Sequence, residues 1–184
     1  MKCISTDFEG LYLIEPRIFT DDRGYFFESY NQDAFEKAGL HYTFIQDNQS
    51  KSSYGTIRGL HFQQGDYAQA KLVRVLEGTV LDVVVDLRKN SPKYGQHFSL
   101  ELSAANNMQL LIPRGFAHGF SVLSETAIFA YKCDNVYHKA SEGGLLYCDA
   151  ALNIDWRIPS KDVIVSEKDA VNPTFADLTA VFSL

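Results

Sequence analysis

The chain has 184 residues, 46% hydrophobic and 22% charged, the balance of a globular domain with a sizeable core. A formal net charge of −6 excludes broad binding to nucleic acid or an anionic membrane, since either needs a basic face. Cys3, Cys133 and Cys148 form no CxxC pair, and MKCISTDFEG lacks the apolar core of a signal peptide, so a reduced, cytoplasmic protein is expected.

The pattern predicts strands over 10–19 (GLYLIEPRIF) and 24–30 (GYFFESY), separated by the turn residues DDRG. NQDAFEKAGL at 31–40 is the one helix, which Asn31 or Asp33 can cap and Gly39 can end. Further strands are predicted over 42–50, 56–63, 71–78, 79–88, 97–103, 108–113, 118–123 and 126–133. Beyond Cys133 the pattern weakens. GGLLYCDAALNIDW and KDVIVSEKD are expected to wrap the strands as loops and short helical turns. No linker or repeat divides the chain, and parallel sheets would need crossover helices, for which there is room for only one or two. The reading is a single all-β domain, residues 1–184, a sandwich or barrel.

TIRGLHFQ, residues 56–63, breaks the rules of a simple strand. Arg58 and His61 are three apart, so regular alternation sends them to opposite faces. A bulge at Gly59 would return them to one face, with Gln63 in phase, lining a cavity. An edge strand with solvated polar groups fits this stretch equally well.

Pro113, Gly115 and His118 resemble the second motif of the cupin superfamily, whose histidine often binds a metal. The first motif would supply His-x-His and then an acid, but here His61-Phe62-Gln63 is followed by Lys71. An amide and an ammonium make a poor cation site, so no metal is expected. In TAIFAYKC, alternation puts Ala127, Phe129, Tyr131 and Cys133 on one face. Tyr131 is either a core tyrosine or a phenol offered to a pocket. Lys168 and Asp169 in VSEKDA read, on their own, as a solvated turn.

Taken together, TIRGLHFQ, KLVRVLEGTVLDVVVDLR, SPKYG, LIPRGFAHGFSVLSETAIFAYKC, EGGLLYCD, IDW and SEKD resemble the dTDP-4-dehydrorhamnose 3,5-epimerase family, in order and spacing from about residue 8 to 170. The resemblance implies a cupin jelly roll (a double-stranded β-helix) with short peripheral helices, a homodimer, no metal and no cofactor. It also implies the substrate, a dTDP-4-keto-6-deoxyhexose whose C3 and C5 hydrogens flank a carbonyl. Inverting those centres requires a base, an acid across the ring and a group that holds the enolate oxygen.

By the same resemblance, His61 is the base, Asp169 its partner, Tyr131 the acid and Lys71 the cation facing the C4 oxygen. His118 lines the pocket. Arg23, Glu28, Gln46, Asn48, Arg58, Glu142 and Lys168 match positions that contact the nucleotide sugar, and Phe19, Phe26 and Tyr137 are candidate stacking partners for the thymine. Arg23 and Glu28 fall in N-terminal strands that cross, in this family, to the partner subunit; DDRGYFFE alone reads as a plain hairpin turn. Departures are Phe62 for a common Tyr, His97 and Tyr147 where Trp is expected, and Arg114 where an acid is common, which would alter the pocket mouth. Competing readings are an epimerase of C3 or C5 alone, a non-catalytic sugar-binding cupin and a metal-dependent cupin.

Overall fold

The computed structural model describes residues 1–179 and 182. The strands are β1 (Lys2–Ser5), β2 (Tyr12–Glu15), β3 (Phe19–Asp21), β4 (Gly24–Phe26), β5 (Gln46–Ser53), β6 (Ile57–Gln63) and β7 (Lys71–Glu77). They continue as β8 (Thr79–Asp86), β9 (His97–Ser103), β10 (Gln109–Ile112), β11 (Phe116–Val122), β12 (Thr126–Cys133) and β13 (Glu142–Gly144). One sheet runs β1-β2-β10-β7-β12-β5, the second β13-β6-β11-β8-β9, and β3 pairs with β4 as a separate hairpin. From β5 to β8 and again from β9 to β13, successive strands alternate between the two sheets. That alternation, with antiparallel pairing throughout the sheets, is the expected jelly roll.

Three apolar clusters explain the layering. The first fills the space between the sheets with Phe8, Leu11, Val73, Val75, Val80, Val84, Phe120 and Phe129 among others. The second covers the outer face of the five-stranded sheet, where Leu81, Val83 and Val85 meet Trp156 and Leu152 from the C-terminal wrap. This is why TVLDVVVD on β8 is nearly continuous in apolar residues: both of its faces are covered. In the third cluster Phe35, from the helix α1 (Gln32–Lys37), packs on Ile14, Leu72 and Leu111 of the six-stranded sheet. Asn31 caps α1 by accepting the Ala34 N–H, and Gly39 follows at φ +78, as the sequence indicates.

Several boundaries differ from expectation. The predicted strand 10–19 is cut at Pro16, which has no N–H for the ladder, so residues 19–21 belong to the hairpin instead. The strand predicted over 42–50 begins only at Gln46, because Tyr42 and Phe44 pack against Tyr30 and α1. Glu142–Gly144, expected in a loop, adds a short strand to β6, and Lys2–Ser5 adds one to β2. Elsewhere the tail forms 3-10 turns, including Ser160–Asp162 and Asp169–Val171. Among the described residues no helix is long and apolar enough to cross a membrane.

Candidate active site

The bulge expected at Gly59 is present. His118 of β11 pairs with His61, but Phe120 pairs with Arg58, so β6 carries one residue more than its partner between those points. Gly59 has φ +130, and a Cβ there would stand 2.5 Å from the Gly119 Cα. Ile57, Leu60 and Phe62 therefore face the outer apolar cluster, while Arg58 and His61 both open into a cleft between the sheets.

That cleft has a volume of about 720 Å³. The five-stranded sheet contributes Arg58, His61 and His118, the six-stranded sheet Asn48, Lys71 and Tyr131, and the C-terminal segment Lys168 and Asp169. An adjoining lobe of about 360 Å³ shares Asn48, His61, Lys71 and Tyr131 and adds Gln46, Gln63, Tyr137 and Glu142. Phe120 and Phe129, their rings stacked at 4.2 Å, lie against one wall.

Asp169 is not in a solvated turn. It is only 4% exposed, at the start of a 3-10 turn packed on β6, and its Oδ1 lies 2.6 Å from His61 Nε2. A carboxylate only accepts, so Nε2 carries a proton and, in the neutral ring, the lone pair falls to Nδ1. The turn itself is fixed where the Asp169 N–H donates to Ser166 Oγ at 3.1 Å.

Lys71 and Tyr131 stand on neighbouring strands, with the ammonium 5.8 Å from the phenol ring centre. Burial lowers the pKa of Lys71, opposed by Cys133, Asp82 and Glu142, although the side chain keeps partial contact with the cleft. Burial also pushes the Tyr131 phenol above its ordinary value, reinforced by Cys133 and opposed by Arg58, so it holds its proton at neutral pH. His118 has its own carboxylate: Nε2 lies 2.9 Å from Oδ2 of the fully buried Asp82. Burial, aided by the charges of Lys71 and His61, lowers the His118 pKa against the opposing pull of Asp82.

The other anticipated residues divide into two groups. Arg58 Nε donates to Ser52 Oγ at 2.9 Å, tying the two sheets together at the cleft. Gln46 Nε2 donates to Asn48 Oδ1, and the Tyr137 N–H donates to Gln46 Oε1. Glu142 Oε2 receives Tyr137 Oη–H at 3.1 Å and Lys168 Nζ at 2.7 Å. Burial raises the Glu142 pKa, but these bonds outweigh it and hold the carboxyl below its usual range. Phe19, Arg23 and Phe26, by contrast, line a separate pocket of about 530 Å³ on the β3–β4 hairpin, and Glu28 accepts from Asn31. Within one chain these four residues are not part of the cleft.

Gln63 lines the smaller lobe, and its amide bonds to neighbouring polar groups: Nε2 donates to the carbonyls of Tyr67 and Val136, and Oε1 accepts the His138 N–H at 2.6 Å. Arg114 pairs with Asp134, whose other oxygen accepts the Ala70 N–H just before Lys71. Asp82 and Ser52 went unforeseen. A lone acid inside the apolar run TVLDVVV was a legible signal for Asp82, since a buried carboxylate needs a partner. Among the described residues no group of three His, Cys, Asp or Glu side chains is arranged to hold a metal ion.

A two-sheet β-roll with a carboxylate-bound imidazole, a phenol and a lysine opening into one cleft defines an acid–base protein of the sugar-epimerase type. Residues 5–177 match the family described as dTDP-4-dehydrorhamnose 3,5-epimerase, and the chain belongs to that family. It is 51% identical over 170 residues to dTDP-4-dehydrorhamnose 3,5-epimerase of Escherichia coli K12, covering 92% of this chain and 91% of that one. The crystal structure of the enzyme from Elizabethkingia anophelis superposes with a TM-score of 0.92 at 57% identity, over 96% of this chain and 97% of that chain. A dTDP-6-deoxy-D-glucose-3,5-epimerase from Legionella pneumophila, in complex with dTDP-4-keto-L-rhamnose, superposes with a TM-score of 0.92 at 45% identity. The match covers 96% of this chain and 94% of that one.

Proposed function

We propose that this protein inverts C3 and C5 of dTDP-4-dehydro-6-deoxy-D-glucose, without a cofactor, on the way to dTDP-L-rhamnose. The observation that carries the reading is the shared cleft of His61–Asp169, Tyr131 and Lys71, drawn from both sheets. His61 takes the proton from the carbon beside the ketone through Nδ1, and Asp169 stabilises the imidazolium that forms. Lys71, brought to the cleft on β7, places positive charge where the C4 oxygen becomes an enolate. Tyr131 returns a proton from the other face of the ring, and the centre is inverted.

Arg58 and Lys168 suit the diphosphate, one as a planar fork and one as a point charge. The hairpin residues Phe19, Arg23, Phe26 and Glu28 complete the nucleotide site by crossing to a second copy in a homodimer. What supports this is their position away from the cleft of their own chain and the 50% and 66% exposure of Phe19 and Phe26. We read the chain as one catalytic domain working in the cytoplasm.

The test is incubation with the 4-keto nucleotide sugar in deuterated water, followed by NMR. Exchange with inversion at both C3 and C5 is expected. Exchange at one carbon alone would identify a mono-epimerase, and binding without exchange would overturn catalysis.

A further inference from the structure

Gly144 on β13 is the ladder partner of His61 on β6. The side chain of Asn172 lies flat on its Cα: a Cβ at Gly144 would stand 2.5 Å from Asn172 Nδ2 and 2.7 Å from both Cγ and Oδ1. Asn172 immediately follows the turn Asp169–Val171, whose first residue supplies the carboxylate to His61. One residue later the Pro173 carbonyl accepts the Leu146 N–H at 2.8 Å. Residues 144–146, which begin beside the imidazole, and residues 172–173, which follow the turn that carries its carboxylate, thus touch at two successive points.

Little else fixes the Asp169 side chain to β6. Apart from His61, among the described residues it receives only the Gly59 N–H, at 3.5 Å. Asn172 Nδ2 is meanwhile buried without a hydrogen-bond partner among the described residues. An orphaned buried donor is costly, and a small apolar residue would avoid that cost. What the side chain contributes here is its shape, a flat spacer against a residue with no side chain of its own.

The geometry points to Gly144 and Asn172 as positioning residues that set the separation of Asp169 from His61. This assignment rests on the reading of His61 as the base. It matters because a misplacement of about 1 Å at a reacting group can cost about 100-fold in rate.

In the full-length protein, Gly144→Ala forces Asn172 and the turn outward. The expected result is a kcat lower by about 10- to 100-fold with a smaller rise in KM, since the carboxylate moves and, of the binding groups, Lys168 beside it moves too while Arg58 stays on β6. Asn172→Ala makes room for the added methyl group, so the double variant recovers most of the lost kcat. The proton on His61 Nε2, in a short bond to a carboxylate, gives a downfield NMR resonance identified by its absence in His61→Asn. It should move upfield in Gly144→Ala and return in the double variant. That readout needs no turnover, so it stands or falls separately from the epimerase assay. A Gly144→Ala protein with unchanged kcat and an unmoved resonance would overturn the inference, as would a double variant no better than Gly144→Ala. If Gly144→Ala does not fold, a folded double variant that shows the resonance supports the inference, and one that fails to fold counts against it.

Discussion

Gly59 and Gly119 bring β6 and β11 into backbone contact at the one point where their ladder slips, with no space between them for a methyl group. The slip is what turns His61 toward the same side as Arg58. Fold and site are therefore joined at a pair of residues that carry no functional group at all.

Replacing Gly59 by Ala combines a backbone angle closed to side chains with a collision against main-chain atoms. A loss of about 3 kcal/mol is expected in denaturant unfolding, with activity falling further than stability alone explains. A midpoint like that of the native protein would show that the bulge accepts a side chain.

His61→Asn and Asp169→Asn should each lower solvent exchange by about 10²- to 10⁴-fold, because they remove the acceptor and the group that fixes its tautomer. The double variant should be little worse than His61→Asn, since the two act as one unit. Losses that simply multiply would mean the residues work independently.

Tyr131→Phe removes the phenol but keeps its ring beside Lys71. Deuterium should still enter the substrate while inversion falls by about 100-fold, the usual worth of a positioned acid. Lys71→Met should act differently, abolishing exchange and raising the melting temperature, because the folded protein no longer shelters a cation whose burial lowers its pKa. A Lys71→Met protein less stable than the native one would contradict this account of the lysine.

Acid stability should report His118. Its folded pKa lies below the ordinary 6.5, so the unfolded chain takes up a proton before the folded one does. Stability is then lost as pH falls below about 6.5, with a slope of at most about 1.4 kcal/mol per pH unit from this group. His118→Gln should flatten the melting-temperature profile over that window. An unchanged profile would assign the acid limb to other groups.

Mixed dimers test the crossing hairpin. One chain carries Arg23→Ala and the other His61→Asn. If the hairpin serves the partner's cleft, one cleft is intact and the other holds both defects, so the mixture regains activity that neither homodimer has. If the hairpin serves its own cleft, every site carries one defect and nothing is regained.

Much of this was legible in the residues. The spacing of Arg58 and His61 left a bulge at Gly59 and a solvated edge strand equally open, and the bulge is what forms. Alternation in TAIFAYKC placed Tyr131 on the inner face, packed against the core beside Phe129. Other features depend on long-range contacts that local pattern does not encode. Asp169 reads as a surface turn because its burial comes from β6, and its partner His61 is 108 residues away. The amide of Gln63 is consumed by main-chain groups of Tyr67, Val136 and His138, which no spacing rule brings together. QDNQSKSS on β5 lacks an apolar face because it is an edge strand along the cleft, so its start was misplaced toward the aromatic Tyr42 and Phe44.

The stacked pair of Phe120 and Phe129 joins a strand of one sheet to a strand of the other. His61 rides on the first sheet and Tyr131 on the second, so the thickness of this aromatic shim sets how far apart proton acceptor and donor are held. Drift in the packing beneath the cleft would then retune which sugar carbons are reached, with every polar residue of the cleft left unaltered.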